Sequence, residues 1–113
     1  MHGMNATRAY QARSADRNLR DQEADVFRRA TAALRHAQSA DEMDRIRAIA
    51  DNSQLWMTVV LLVKDPFNAL PEAIRGSVAS IGMAVQREMD TEEPDLAFLI
   101  GINEQMTAGL MGI

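Results

Sequence analysis

Cysteine is absent from the 113 residues, which excludes disulfides, thiolate chemistry and zinc–sulfur sites together. Long apolar runs are lacking as well. The longest, Leu55 to Val63, holds nine residues with Thr58 inside it, about half of the ~20 a bilayer-spanning helix needs. No apolar core of a signal peptide stands near the N-terminus, so a soluble intracellular protein is expected. Histidine is scarce. His2 and His36 are isolated from each other and from any metal-ligand spacing such as H-x-x-x-H. No glycine-rich phosphate loop follows a strand, and Ser77 and Ser80 have no histidine partner in sequence reach. The chain is therefore expected to be no enzyme and to hold no metal and no cofactor.

What is present is ordinary for a globular protein: 47% of residues are apolar and 25% charged. The length suits one domain over residues 1–113, with residues 1–10 expected to be flexible. Charge is uneven. Residues 1–51 carry nine arginines against eight acids, and residues 52–113 carry three basic residues against eight acids. Asp16/Arg20, Asp25/Arg29 and Asp41/Arg45 stand at i,i+4, the spacing of a solvated helix face. An acidic chain with its arginines interleaved this way lacks the electrostatic footprint of a nucleic-acid binder. The acids Glu92, Glu93 and Asp95 suit a helix N-terminus, where the macrodipole favours them.

Sustained period-2 alternation is missing, and four segments read as helices, giving an all-α fold, a compact antiparallel bundle of four main helices. The first spans about Ser14 to Ala37, with Leu19, Val26, Phe27, Ala30 and Leu34 on one face. The second begins near Ala40, where Ser39 followed by Glu42 fits a capping box. Its stripe is Met43, Ile46, Ile49, Ser53, Trp56, Val60 and Val63, and Pro66 ends it. The third opens at Pro71 as its first helical residue and aligns Ile74, Val78, Ile81, Val85 and Met89. Gly76 and Gly82 lie inside it, each a candidate for close approach by a neighbour. The fourth starts around Thr91 to Pro94, carries Leu96, Leu99, Ile102 or Asn103, Met106 and Leu110, and frays at Gly109 and Gly112.

The second helix is apolar on more than one face, because Leu55, Val59 and Leu62 fall off its stripe. Such a helix is either central to its fold or partly covered by something else. Eight methionines allow the same two readings, gap-filling in the core or an adaptable groove for related client helices.

The most distinctive residues are Asn52, Leu55-Trp56, Asn68-Ala69-Leu70-Pro71, Ile74-Arg75, Ser80-Ile81-Gly82, Ile102-Asn103 and Gly109-Leu110. In their order and separations they resemble the FlaF family of alphaproteobacterial flagellar biosynthesis regulators, from about Tyr10 to Leu110. The resemblance implies a cytoplasmic factor that binds flagellin and is needed for its production, export and assembly into filament. FlbT, a regulator opposing flagellin synthesis, is a further expected partner. The stretch from Met89 to Asp95 is short and acidic where relatives can be longer and more basic, and nothing is carried over there.

The candidate partner-binding residues are Leu55, Trp56, Val59, Leu62, Arg75 and Asn103, with helix-in-groove capture of unfolded, amphipathic flagellin ends as the mechanism. Each also has a structural reading. Trp56 suits a core anchor packed near Leu70 and Ile74. Asn68 suits a turn or cap. Arg75 suits either a partner carboxylate or the loop carbonyls near Asn68. Asn52 and Asn103 should be hydrogen-bonded, inside the fold more than to a client, since an unsatisfied buried amide costs ~1–3 kcal/mol. The rival reading is regulation of flagellin mRNA, through FlbT or by direct contact. Direct contact needs stacking aromatics among exposed arginines, and Tyr10 is the only aromatic near the Arg8–Arg20 segment.

Overall fold

A computed structural model describes residues 22–112, with side chains through residue 109. The expectations for residues 1–10, Ser14, Leu19, Asp16/Arg20 and the side chain of Leu110 lie outside the described residues. Within them the chain forms four helices and no strand: α1 over residues 22–37, α2 at Glu42–Lys64, α3 at Glu72–Met89 and α4 at Leu96–Gly112. The all-α reading holds. α4 continues past Gly109 to Gly112.

Each junction has its own chemistry. After α1, Gln38 and Ser39 donate their N–H groups back to Arg35 and His36 carbonyls, both at 3.2 Å, so Ser39 belongs to a turn. The cap of α2 is instead Asp41, whose carboxylate accepts from Asp44 N–H at 2.9 Å, and the helix begins at Glu42. That corrects the expected Ser39–Glu42 capping box: two residues compete for one N-terminus, and the carboxylate nearer the first helical turn takes it. α2 ends as expected before Pro66, with Asp65 extended at ψ 125°. Pro71 is one residue further out than expected, an N-cap with ψ 145° whose carbonyl accepts from Arg75 N–H at 3.0 Å. α4 begins later than Pro94. Asp95 anchors it by accepting from Phe98 N–H at 3.1 Å, while its own N–H donates to Glu88 Oε1 at 2.8 Å.

The helices alternate in direction. Val60 faces Gly82, Ser53 pairs with Gln86, and Asn52 meets Met89, so α3 runs back along α2. Arg35 on α1 pairs with Glu104 on α4. Trp56 is where three helices converge on the fourth. Its ring is fully buried, meets Phe27 of α1 edge-on at 5.6 Å, and lies against Gly82 of α3. On α4, Asn103 accepts its indole N–H at 2.9 Å. α2 is thus central to the bundle. Leu70 and Ile74 do not join this centre; both are partly exposed. Gly82 is the α3 residue at Trp56, and Ile74 lies eight residues back along α3, roughly 12 Å at 1.5 Å per residue.

The buried line of α2 is Ala48, Asn52, Trp56 and Val63. It shares Trp56 and Val63 with the expected stripe but leaves Met43 and Ile46 half in water, at 56% and 51% exposure. On α1, Ala24, Phe27, Ala30, Leu34 and Ala37 are buried, while Val26 turns outward. The ion pairs also shift. Asp25 bonds Arg28 at 2.5 Å, an i,i+3 pair in place of Asp25/Arg29, and Asp41 caps α2 in place of pairing with Arg45.

Of the two helical glycines singled out, only Gly82 is a close approach. A Cβ there would overlap Val60 Cγ2 and lie 3.4 Å from Trp56 Cε3, whereas at Gly76 nothing lies within 4 Å. Gly82→Ala should destabilise the domain by ~1–3 kcal/mol through overpacking. Gly76→Ala should stabilise it by about 1 kcal/mol through helix propensity. Urea denaturation of the two variants checks the opposite signs.

Candidate functional site

The most polar feature of the interior is a chain of side chains crossing the bundle. Trp56 Nε1 donates to Asn103 Oδ1 at 2.9 Å, Asn103 Nδ2 donates to Asn52 Oδ1 at 2.7 Å, and Asn52 Nδ2 donates to Met89 Sδ at 3.4 Å. Trp56, Asn52 and Asn103 have no exposed surface at all. The two asparagines are hydrogen-bonded within the fold, as their cost when unsatisfied requires. For Trp56 and Asn103 this corrects the expectation of a partner surface, because a partner could reach either only by opening the bundle.

Arg75 is half-buried behind the α2–α3 corner, where its Nη1 donates to the Asp65 carbonyl at 3.3 Å. Of its two readings, the bond to the loop is the one present. Asn68 sits in front of it as the turn residue. Its Nδ2 donates to the Leu62 carbonyl at the end of α2, and its Oδ1 accepts from Leu70 N–H at 2.9 Å.

The remaining three candidates, Leu55, Val59 and Leu62, come together. They line one side of an apolar groove of about 250 Å³ with Val26 and Phe27 of α1, Val78 of α3 and Met106 of α4. Leu70 closes it at the corner, and Glu23, Thr58 and Asn68 are its polar members. Leu62 is 52% exposed and Leu55 and Val59 partly so. The surplus apolar face of α2 is therefore left by the fold as the wall of a groove. Val26, Leu70, Val78 and Met106 complete it without having been picked out as site residues. Leu70 lies in the Asn-Ala-Leu-Pro turn, and that position beside the end of α2 is the one signal that pointed to it.

Two other hollows differ in character. One, between α2 and α3, is a shallow apolar strip along Met57, Val60, Leu61 and Met83. The other lies past the start of α4, where Glu42, Arg45, Glu92, Glu93 and Asp95 surround Ile46 and Ile49. Its acids are not gathered for coordination, since among the described residues no group of three or more His, Asp or Glu is placed to hold a metal ion. No described helix is long and apolar enough to cross a membrane.

The family model described as flagellar protein FlaF matches residues 6–110 of the chain. The chain belongs to the FlaF family. It is thus a flagellar protein, and the matched span contains the whole polar chain and every residue of the groove. No curated protein and no solved structure matches it. In this FlaF-family chain the central tryptophan is a structural residue. Trp56→Ala should cost ~3–5 kcal/mol, read as a large fall in thermal midpoint. An unchanged midpoint would place the ring outside the core.

Proposed function

We propose that this FlaF-family protein is a non-catalytic, cytoplasmic flagellin-binding factor that supports flagellin production, export and filament assembly. The observation that carries the reading is the apolar groove along the second half of α2. Grooves of this kind take the apolar face of an amphipathic helix, with anchors spaced i, i+3, i+4 and i+7. Leu55, Val59 and Leu62 repeat at that spacing on the receiving wall. A chain end that cannot bury its apolar face before assembly is a suitable occupant. Shielding it in the groove lowers the chance of premature association until export. No nucleotide hydrolysis is required, because occupancy itself reports the amount of unassembled flagellin. FlbT is the expected second partner through which occupancy would act on synthesis.

Regulation by direct contact with flagellin mRNA draws less support. Two of the exposed arginines of α1 and its end are neutralised, Arg28 by Asp25 and Arg35 by Glu104. Such pairing reduces the positive field that holds a phosphate backbone.

Leu62→Glu should abolish capture of unfolded flagellin while circular dichroism stays helical, because a charge is far more costly inside the complex than on an open wall. Leu34→Glu, at a fully buried position, should unfold the domain instead. A folded Leu62→Glu protein that still binds flagellin would move the client to another surface. The affinity should also change little between low and moderate ionic strength. A decline by orders of magnitude over that range, measured by titration, is what phosphate contacts would give.

A further inference from the structure

The α2–α3 corner displays a phenylalanine to solvent. Phe67 is 94% exposed, yet the turn that carries it is firmly built. Phe67 N–H donates to Asp65 Oδ1 at 2.9 Å and Asn68 N–H to the Asp65 carbonyl at 3.0 Å. The bonds of Asn68 to Leu62 and Leu70, and of Arg75 to Asp65, fix the turn from both sides. A single exposed apolar residue is unremarkable on any surface. Phe67 is not single, because Leu62, Leu70 and Ile74 at the same corner are also exposed. The knob is therefore pre-organised, which lowers the ordering cost of docking it. It stands next to the groove, whose rim includes Asn68 and Leu70.

A surface carrying a knob and a hollow side by side is complementary to its own copy. Two-fold rotation brings each knob to the other copy's hollow, and the contact closes at two chains. The sizes agree: a cavity of ~150 Å³ lined by aliphatic and aromatic residues holds a benzene ring, and the groove offers about 250 Å³. One pair of opposite charges is available as well. Lys64 ends α2 three residues before Phe67, and exposed Glu23 stands at the α1 side of the groove. In a two-fold pair of this kind Lys64 of each copy would stand at the rim that holds the other's Glu23.

We infer that the α2–α3 corner is a self-association surface, with Phe67 of each copy seated in the groove of a second copy of the chain. The dimer closes the groove, so self-association and client binding exclude one another; that consequence rests on the groove being the client site. Free protein is then held with its apolar surface covered, and a client must displace the second copy.

Sedimentation of the full chain from low micromolar to several hundred micromolar tests the inference. The expected result is a mass rising from one chain toward two. Phe67→Asp should remain a monomer throughout with an unchanged thermal midpoint, since the side chain supports no part of the core. Glu23→Lys should weaken the dimer, and adding Lys64→Glu should restore it. A wild-type chain that stays monomeric, or a dimer that survives Phe67→Asp, overturns the inference. Flagellin titrations separate this from the client reading. At concentrations where the wild type is dimeric, Phe67→Asp should bind unfolded flagellin severalfold more tightly. Weaker binding would make Phe67 a client contact and overturn the exclusion. If neither protein binds flagellin while Phe67→Asp still abolishes the dimer, self-association stands and the client reading falls.

Discussion

Two amides and an indole buried with no access to water must satisfy one another, and the rest of the fold follows from how they do it. Asn103 bridges Trp56 and Asn52, accepting from one and donating to the other, and Asn52 donates one amide N–H to Met89 Sδ. These bonds tie α2 to α4 and to the last turn of α3. Sliding any of the three helices by one residue would rotate an amide by about 100° and strand a buried donor or acceptor, at ~1–3 kcal/mol each. Apolar contacts tolerate such slips far better. The polar chain therefore selects one register, and the absence of side-chain bulk at Gly82 lets α3 approach closely enough to complete it.

With the register set, α2 divides its surface between two tasks. Ala48, Asn52, Trp56 and Val63 face inward. The apolar residues between them cannot all follow, because a helix packed on three neighbours still turns part of its circumference away. Leu55, Val59 and Leu62 are left on a wall where α1 and the α2–α3 corner do not meet, and Val78 and Met106 complete the hollow. The groove is thus a by-product of a core anchored by polar residues. In the proposed function this wall is where the apolar face of the client would seat. The firmly bonded turn at Asp65, Asn68 and Arg75 keeps the groove's open end in shape.

Much of this was legible from residue order. The helices, the stop at Pro66, the cap-like role of Asn68, the close approach at Gly82 and the bonding of Asn52 and Asn103 all follow from local chemistry. So did the surplus face of α2. What could not be read was the direction of that face. When apolar residues surround a helix, periodicity does not choose between neighbouring stripes. The stripe through Met43 and Ile46 was as regular as the one through Ala48 and Asn52 that is buried. A purely apolar pattern also passes over Asn52, because it assigns asparagine to the surface. Residue order leaves Trp56 and Asn103 open to a partner surface for a related reason: the same amphipathic groups serve interfaces and interiors, and only the neighbours decide. Phe67, the most exposed large apolar residue of those described, had no periodic signal at all, since it lies in a turn.

The most direct test of the central claim, that one face of α2 holds the fold while a neighbouring face in its second half receives a client, is amide hydrogen exchange with and without unfolded flagellin. Residues 55–64 and 68–78 should gain protection on addition of flagellin, while residues 42–52 and 90–97 exchange as before. Protection confined to residues 42–49 and 92–97 would place the client in the charged hollow at the other end of α2 and contradict the claim.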